Sequence, residues 1–323
     1  MGFGRWSGRL RRALLAALVT GAVVVPVSAA AHPEIPAPAP ARLGPVTAAT
    51  LDSVYAANRA TARSAAAMAR DHGDTGRARE LREMAAGDRT FLTFDPRGAG
   101  RAAEVFGDLA HADRIAVLVP GSDTSLDTYD RFRAGTLALH GRLGGRAAVV
   151  AWLGYETPGT VSAAVTTTGR AQDAAPELVG FVRELRAISG FRPAPAVSLL
   201  CHSYGSVVCG RAASGLTGGA AVGDLVLFGS PGTGADSVAG LHTPAQVWAG
   251  RGGDDWIAGV PHAKADVFGT TVGFGTDPVS ASFGAHVFAA GDGGHSDYFR
   301  AGSPALDNFA RIVLGQDAEV THP

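Results

Sequence analysis

The chain keeps returning to short runs dominated by apolar residues, each followed by a loop and then by residues that suit a helix. FLTF at 91–94, IAVLVP at 115–120, RAAVVAWLG at 146–154, VSLL at 197–200, DLVLFG at 224–229 and AQVWAG at 245–250 make up the series. Strands of this kind have no polar face to turn toward water, so they belong in a sheet covered on both sides by helices. That constraint predicts a single α/β domain over residues 48–315, a mostly parallel, doubly wound sheet, with residues 316–323 left as a tail. Helix-compatible stretches fall at 101–109, 126–143 and 173–188. From Ala48 to Ala86 the chain is rich in Ala, Arg and Glu and lacks proline, which predicts two helices ahead of the sheet, broken near His72-Gly73-Asp74.

Upstream, the first twelve residues carry Arg5, Arg9, Arg11 and Arg12 and run into an apolar stretch at 13–31. This is the pattern of an export signal, with Val27-Ser28-Ala29 or Ala29-Ala30-Ala31 as the processing site. An uncleaved anchor is the competing reading, since 13–31 is nearly long enough to span a bilayer. Residues 32–47, rich in Pro and Ala, read as an extended linker. The formal net charge is -1, and removing the arginine-rich leader makes the remainder more acidic. No basic field remains for nucleic acid, and membrane contact is expected only through a retained N-terminal segment. The sequence does not indicate an oligomeric state.

Chemistry concentrates first in VSLLCHSYGSVVCG. An apolar strand ends at Cys201-His202-Ser203-Tyr204-Gly205, and a helix-compatible SVVCGRAA begins at once. A serine at such a strand-to-helix turn is held up at a strained tip, with small residues required two positions before and after it. The amides of the following helix point to where an oxyanion would form. Ser203 is therefore the candidate nucleophile, and a serine that merely caps a helix is the plainer alternative. Cys201 and Cys209 are the only two cysteines of an exported chain, and Cys209 lies one turn beyond Gly205, which predicts a disulfide across this bend.

A serine nucleophile needs a base, and the base needs an orienting acid. His295, in the glycine-rich AAGDGGHSDYF, suits presentation from a loop, whereas His286 in GAHVF suits a packed or edge-strand position. His262 remains a lesser candidate, and His322 falls in the tail. Asp254 and Asp255 both follow the AQVWAG strand at the carboxyl edge of the sheet. Asp255 is preferred because it adjoins Trp256-Ile257, with Asp254 as the alternative acid and loop capping or a surface calcium as other uses of the pair. The remaining oxyanion donor is expected from Gly121-Ser122-Asp123-Thr124, so that the Ser122 and Tyr204 amides form the hole. Tyr155, Pro158 and Trp256 are candidate pocket walls.

VPGSDTS at 119–125, WLGYETP at 152–158, CHSYGS at 201–206 and GHSDYF at 294–299 together resemble the motifs of an actinobacterial α/β-hydrolase family first catalogued as a domain of unknown function. The resemblance spans roughly 90–305 and implies an α/β-hydrolase fold with Ser203, an aspartate and His295 in that chain order. The family commonly has Asp-Pro-Ile where Asp255-Trp256-Ile257 stands here, which supports Asp255 while the missing proline leaves Asp254 open. Gly232-Thr233-Gly234 lacks the third glycine of a dinucleotide fingerprint, Ser237 standing in its place. With no Walker loop, HExxH or CxxC pair, neither cofactor nor metal is expected. The expected function is a secreted esterase acting on a small-molecule or envelope-derived acyl substrate. Amidase, thioesterase or acyltransferase chemistry with the same triad, or a non-catalytic envelope protein on the same fold, are the alternatives.

Overall fold

All six apolar runs form strands. The strands are β1 (Phe91–Asp95), β2 (Arg101–Phe106), β3 (Arg114–Val119), β4 (Ala147–Leu153), β5 (Ala196–His202), β6 (Asp224–Phe228), β7 (Gln246–Gly250), β8 (Lys264–Val267), β9 (Thr270–Gly273) and β10 (His286–Val287). Eight of them make one sheet in the order β1-β2-β4-β3-β5-β6-β7-β10, while β8 and β9 form a separate antiparallel hairpin. Within the large sheet only β2 runs against its neighbours, and every pairing from β4 to β10 is parallel. The computed structural model describes residues 35–145, 147–188, 196–260, 264–267 and 270–323. Pro36–Pro323 form one unit, with Met1–Ile35 grouped apart, so the expected export signal lies outside the described residues.

The two expected leading helices are α1 (Leu51–Asp71) and α2 (Thr75–Met84). They separate at Gly73, whose φ of +92° suits only glycine, and Asp74 caps α2 by accepting from the Arg77 amide at 2.8 Å. Asn58 of α1, buried, donates to the Phe91 and Leu92 carbonyls at 2.7 and 3.0 Å, which fastens the helix to β1. Beyond them, α3 (Tyr129–Leu143) packs on α6 (Pro304–Leu314), and α4 (Gly169–Ala187) packs on α5 (Gly205–Ala212). Val117, Val119, Leu199 and Cys201 share a core cluster with α4, so the alternation of a strand turns Leu118 and Leu200 to the opposite face.

Two expectations need correction. Residues 101–109, read as helix-compatible, begin with β2. Ala and Glu favour a helix locally, but Ala102, Ala103, Val105 and Phe106 are all buried, and tertiary packing overrides propensity. Glu104, 1% exposed, is tolerated there because Arg89 grips both carboxylate oxygens and Arg133 approaches to 3.4 Å. The second correction concerns 316–323, which is tied down. The Thr321 amide donates to Asn308 Oδ1 at 3.0 Å, the Ala289 amide donates to the Thr321 carbonyl at 2.8 Å, and Val320 is buried.

Truncating Glu104 strands a buried guanidinium. Glu104→Ala is expected to cost about 3–5 kcal/mol in urea unfolding, and the apolar double replacement Arg89→Met/Glu104→Met is expected to recover most of that loss.

Candidate active site

The chain bends sharply after β5. Ser203 has φ +52°, a left-handed conformation that costs a non-glycine residue about 1–3 kcal/mol and persists only when its surroundings hold it. Several contacts do so. The Ser203 amide donates to the Phe228 carbonyl at 3.0 Å, and Ser206 Oγ donates to the Cys201 carbonyl at 2.9 Å. A Cβ on Gly205 would lie 2.5 Å from the Val119 carbonyl oxygen, so strand β3 and helix α5 approach too closely there for any side chain. The disulfide expected between Cys201 and Cys209 is present, with Cα atoms 6.4 Å apart, and it closes the strand onto the helix.

Over this bend lie the other groups expected from the sequence. His295 Nε2 is 3.0 Å from Ser203 Oγ, and His295 Nδ1 lies 2.8 and 3.0 Å from the two carboxylate oxygens of Asp255. Asp255 is buried while Asp254 beside it is exposed. The Ile257 amide donates to Asp255 Oδ1 at 2.9 Å, so the same carboxylate that faces His295 also caps its own loop. Burial opposes ionisation of Asp255, but hydrogen bonds from His295, Tyr298 and the Ile257 amide outweigh it and hold the carboxyl below the usual range. Among the other histidines, His286 sits on the edge strand β10, His322 donates from Nδ1 to the Val287 carbonyl at 2.7 Å, and His262 lies outside the described residues.

Gly121 comes so close to the bend that a Cβ would stand 2.6 Å from Ser203 Cβ. Its loop is braced by the segment 157–160. The Asp123 and Thr124 amides donate to the Pro158 carbonyl and Thr157 Oγ1, at 3.0 and 3.1 Å, and Asp123 accepts from Thr160. No hydrogen bond from the Ser122 or Tyr204 amide is found among the described residues, which leaves both donors free beside Ser203. Tyr155 and Pro158, expected as pocket walls, stand behind this loop instead. The Tyr155 ring is buried against Trp152, and its hydroxyl donates to the Pro120 carbonyl at 2.7 Å. Trp256 does line the cleft, 56% exposed, with its ring 4.6 Å from that of His295.

Two residues inside the sequence motifs have structural parts that the motifs did not disclose. Tyr298, buried, donates from its hydroxyl to Asp255 Oδ2 at 2.5 Å and accepts from the Gly252 amide at 3.1 Å. Burial, and then that bond to the carboxylate, push the phenol's pKa upward, so it stays a donor. His202 points back across the bend, and its Nε2 donates to the His295 carbonyl at 2.9 Å while its ring packs against Phe228. Burial first, and the neighbouring His295 second, lower its pKa to about 3, so the ring is neutral above that range. The tautomer with hydrogen on Nε2 follows from the carbonyl it faces.

A cleft of about 1480 Å³ opens over Ser203, bounded by the Gly121 loop, Trp256, Phe274 and residues 295–300. Gly232-Thr233-Gly234 offers nothing to a phosphate, because the 233 and 234 amides both donate to the Phe274 carbonyl, at 3.1 and 2.8 Å. Among the described residues, Glu80, Glu83 and Asp130 bring carboxylate oxygens within 4.8 Å of one another, with Arg79 already paired to Glu80. The Ser203, His295 and Asp255 groups together can take a proton from a hydroxyl, hold it on an imidazole and balance the resulting charge.

Residues 95–265 match a family model described as Alpha/beta hydrolase. The chain is 31% identical over 257 residues to the uncharacterized Mycobacterium tuberculosis protein Rv2079, covering 69% of this chain and 39% of that protein. With the uncharacterized Mycobacterium bovis protein Mb0988c identity is 34% over 183 residues, covering 50% of this chain and 66% of the relative. The chain thus spans less than two thirds of the length of either curated relative. Among solved structures, an α/β serine hydrolase without lid from Xanthomonas campestris aligns with a TM-score of 0.44 at 18% identity, over 72% of this chain and 95% of that one. The esterase PE8 aligns with a TM-score of 0.43 at 15% identity, over 67% and 98%.

The depressed pKa of His202 makes stability depend on pH. Between its ordinary 6.5 and about 3 the unfolded chain binds a proton that the folded chain does not, so stability falls as pH falls through that window. Urea midpoints measured at pH 7 and pH 4.5 are expected to drop less for His202→Gln than for the wild type.

Proposed function

Since the chain belongs to an α/β-hydrolase family, we propose that it is a serine hydrolase that cleaves carboxylic esters through an acyl-enzyme on Ser203. The observation that carries this reading is the continuous relay from Ser203 Oγ through both His295 nitrogens to Asp255, at the floor of an open cleft. Ser203 Oγ attacks the carbonyl carbon while His295 Nε2 takes its proton. Negative charge then gathers on the carbonyl oxygen, where the free Ser122 and Tyr204 amides receive it. Collapse of the adduct expels the alcohol, which His295 protonates. Water enters, His295 removes its proton, and the acyl group leaves as a carboxylic acid with Ser203 restored.

Asp255, ionised at neutral pH, keeps hydrogen on Nδ1 so that Nε2 is free to act as base. Tyr298 and the Ile257 amide fix that carboxylate in place. Export through residues 1–31 and a small-molecule or envelope-derived acyl substrate belong to the same proposal. The disulfide supports an oxidising compartment, and among the described residues no helix is long and apolar enough to cross a membrane.

A fluorophosphonate probe tests the nucleophile. The folded protein is expected to label once, and Ser203→Ala to abolish the label; folded wild type that never labels would refute the proposal. His295→Ala is expected to lower kcat on p-nitrophenyl esters by at least about 10³-fold. Asp255→Asn is expected to lose about 10²–10⁴-fold, with Asp254→Asn near wild type; the reverse ranking would transfer the orienting role to Asp254. Tyr298→Phe removes one of the bonds that hold the Asp255 carboxyl ionised, so the carboxyl is expected to titrate at higher pH than in the wild type when followed by NMR.

A further inference from the structure

Four large apolar side chains stand exposed among the described residues, Met68, Leu137, Val161 and Trp256, and of these Trp256 alone lines the cleft over Ser203. An indole left 56% exposed contributes little to the core. Its position is nonetheless fixed. Trp256 opens a short 3-10 helical turn, Trp256–Gly259, which Asp255 caps by accepting from the Ile257 amide at 2.9 Å. Asp255 is held by His295 and Tyr298, and Ile257 is buried, so the chain is anchored on both sides of the indole. The ring leans against His295, with centroids 4.6 Å apart and planes at 47°. Ser296, Asp297 and Arg300 continue the lining beyond His295, with Arg300 donating to the Asp297 carboxylate at 2.8 Å.

This placement gives the indole one half of the substrate. His295 Nε2 has to reach the oxygen of the departing alcohol to protonate it, so the alcohol lies on the His295 side of the reacting carbon, while the carbonyl oxygen turns toward the Ser122 and Tyr204 amides. A side chain packed on the His295 ring is therefore a neighbour of the alcohol. An exposed indole offers that alcohol a broad, rigid apolar surface. A ring laid on it covers one whole face without losing internal rotations, whereas an open chain must freeze several bonds to cover the same area. We propose that Trp256 is a specificity-determining residue that stacks on the alcohol half of the ester, so that the enzyme favours esters of alcohols bearing a flat-faced ring, aromatic or sugar, over open-chain ones. At the edge of a sugar ring, Ser296, Asp297 and Arg300 are hydrogen-bonding groups for its hydroxyls. The inference rests on the ester-hydrolase reading of Ser203 and goes beyond it by naming the class of alcohol.

Three acetates of primary alcohols test this with the acyl group held constant: benzyl acetate, methyl glucoside acetylated on its primary hydroxyl, and hexyl acetate. Their intrinsic reactivities differ, but the difference cancels when each ratio to hexyl acetate is compared between wild type and variant. In Trp256→Ala the kcat/KM ratio of at least one ring ester to hexyl acetate is expected to fall about three- to tenfold, and in Trp256→Phe to stay within about twofold of wild type. The ratio that falls says whether the ring is aromatic or sugar. Free benzyl alcohol and methyl glucoside give a second readout that needs no turnover. Whichever fits the site is expected to slow fluorophosphonate labelling of the wild type and not of Trp256→Ala. Equal losses on all three esters, with no such protection, would make the indole a general support for His295. That result, or ratios and protection that do not depend on Trp256, in protein that still labels at Ser203, would overturn the inference about the alcohol and leave the hydrolase reading standing. A folded wild type without labelling would instead remove the reading beneath it.

Discussion

The left-handed backbone at Ser203 is the constraint on which the rest of the site depends. Holding that conformation requires β3, β5 and α5 to meet more closely than side chains allow, and glycine stands at the two points of nearest approach, 121 and 205. Among the described residues no hydrogen bond from the Ser122 or Tyr204 amide is found, while the Asp123 and Ser203 amides are bonded to the Pro158 and Phe228 carbonyls.

His295 reaches this bend from far along the chain, and its placement relies on neighbouring groups. His202 grips its carbonyl from below, and Tyr298 and the Ile257 amide fix the carboxylate behind its ring. A neutral His202 matters here, because a second positive charge 4.7 Å from the His295 ring would oppose protonation of His295. Burial keeps that charge away without any dedicated partner.

Much of this was legible in the sequence because the signals are local. Strand, bend and helix around Ser203 occupy fourteen consecutive residues, and the steric demands of such a bend are written in its small residues. The glycine-rich setting of His295 and the pair of acids after the AQVWAG strand needed only knowledge of which end of each strand they follow. What the sequence hid depends on facing. Tyr155 follows a strand end, as a pocket residue would, but nothing local says that its ring turns behind the Gly121 loop. Residues 101–106 have helix-forming composition, and pairing with β1 and β4 across space makes a buried strand of them, with Arg89 and Arg133 as partners for Glu104. Tyr298 and His202 sat in plain view within motifs, yet their bonds span 43 and 93 residues and have no short-range signature.

The Cys201–Cys209 bridge joins residues only eight apart, and both sulfur-bearing side chains are wholly buried. With no other cysteine in the chain there are no rival pairings to sort through, so oxidative maturation is a single yes-or-no event. Once the domain has closed over it, a soluble thiol has no path of attack. The bond therefore behaves as a seal set at the time of folding.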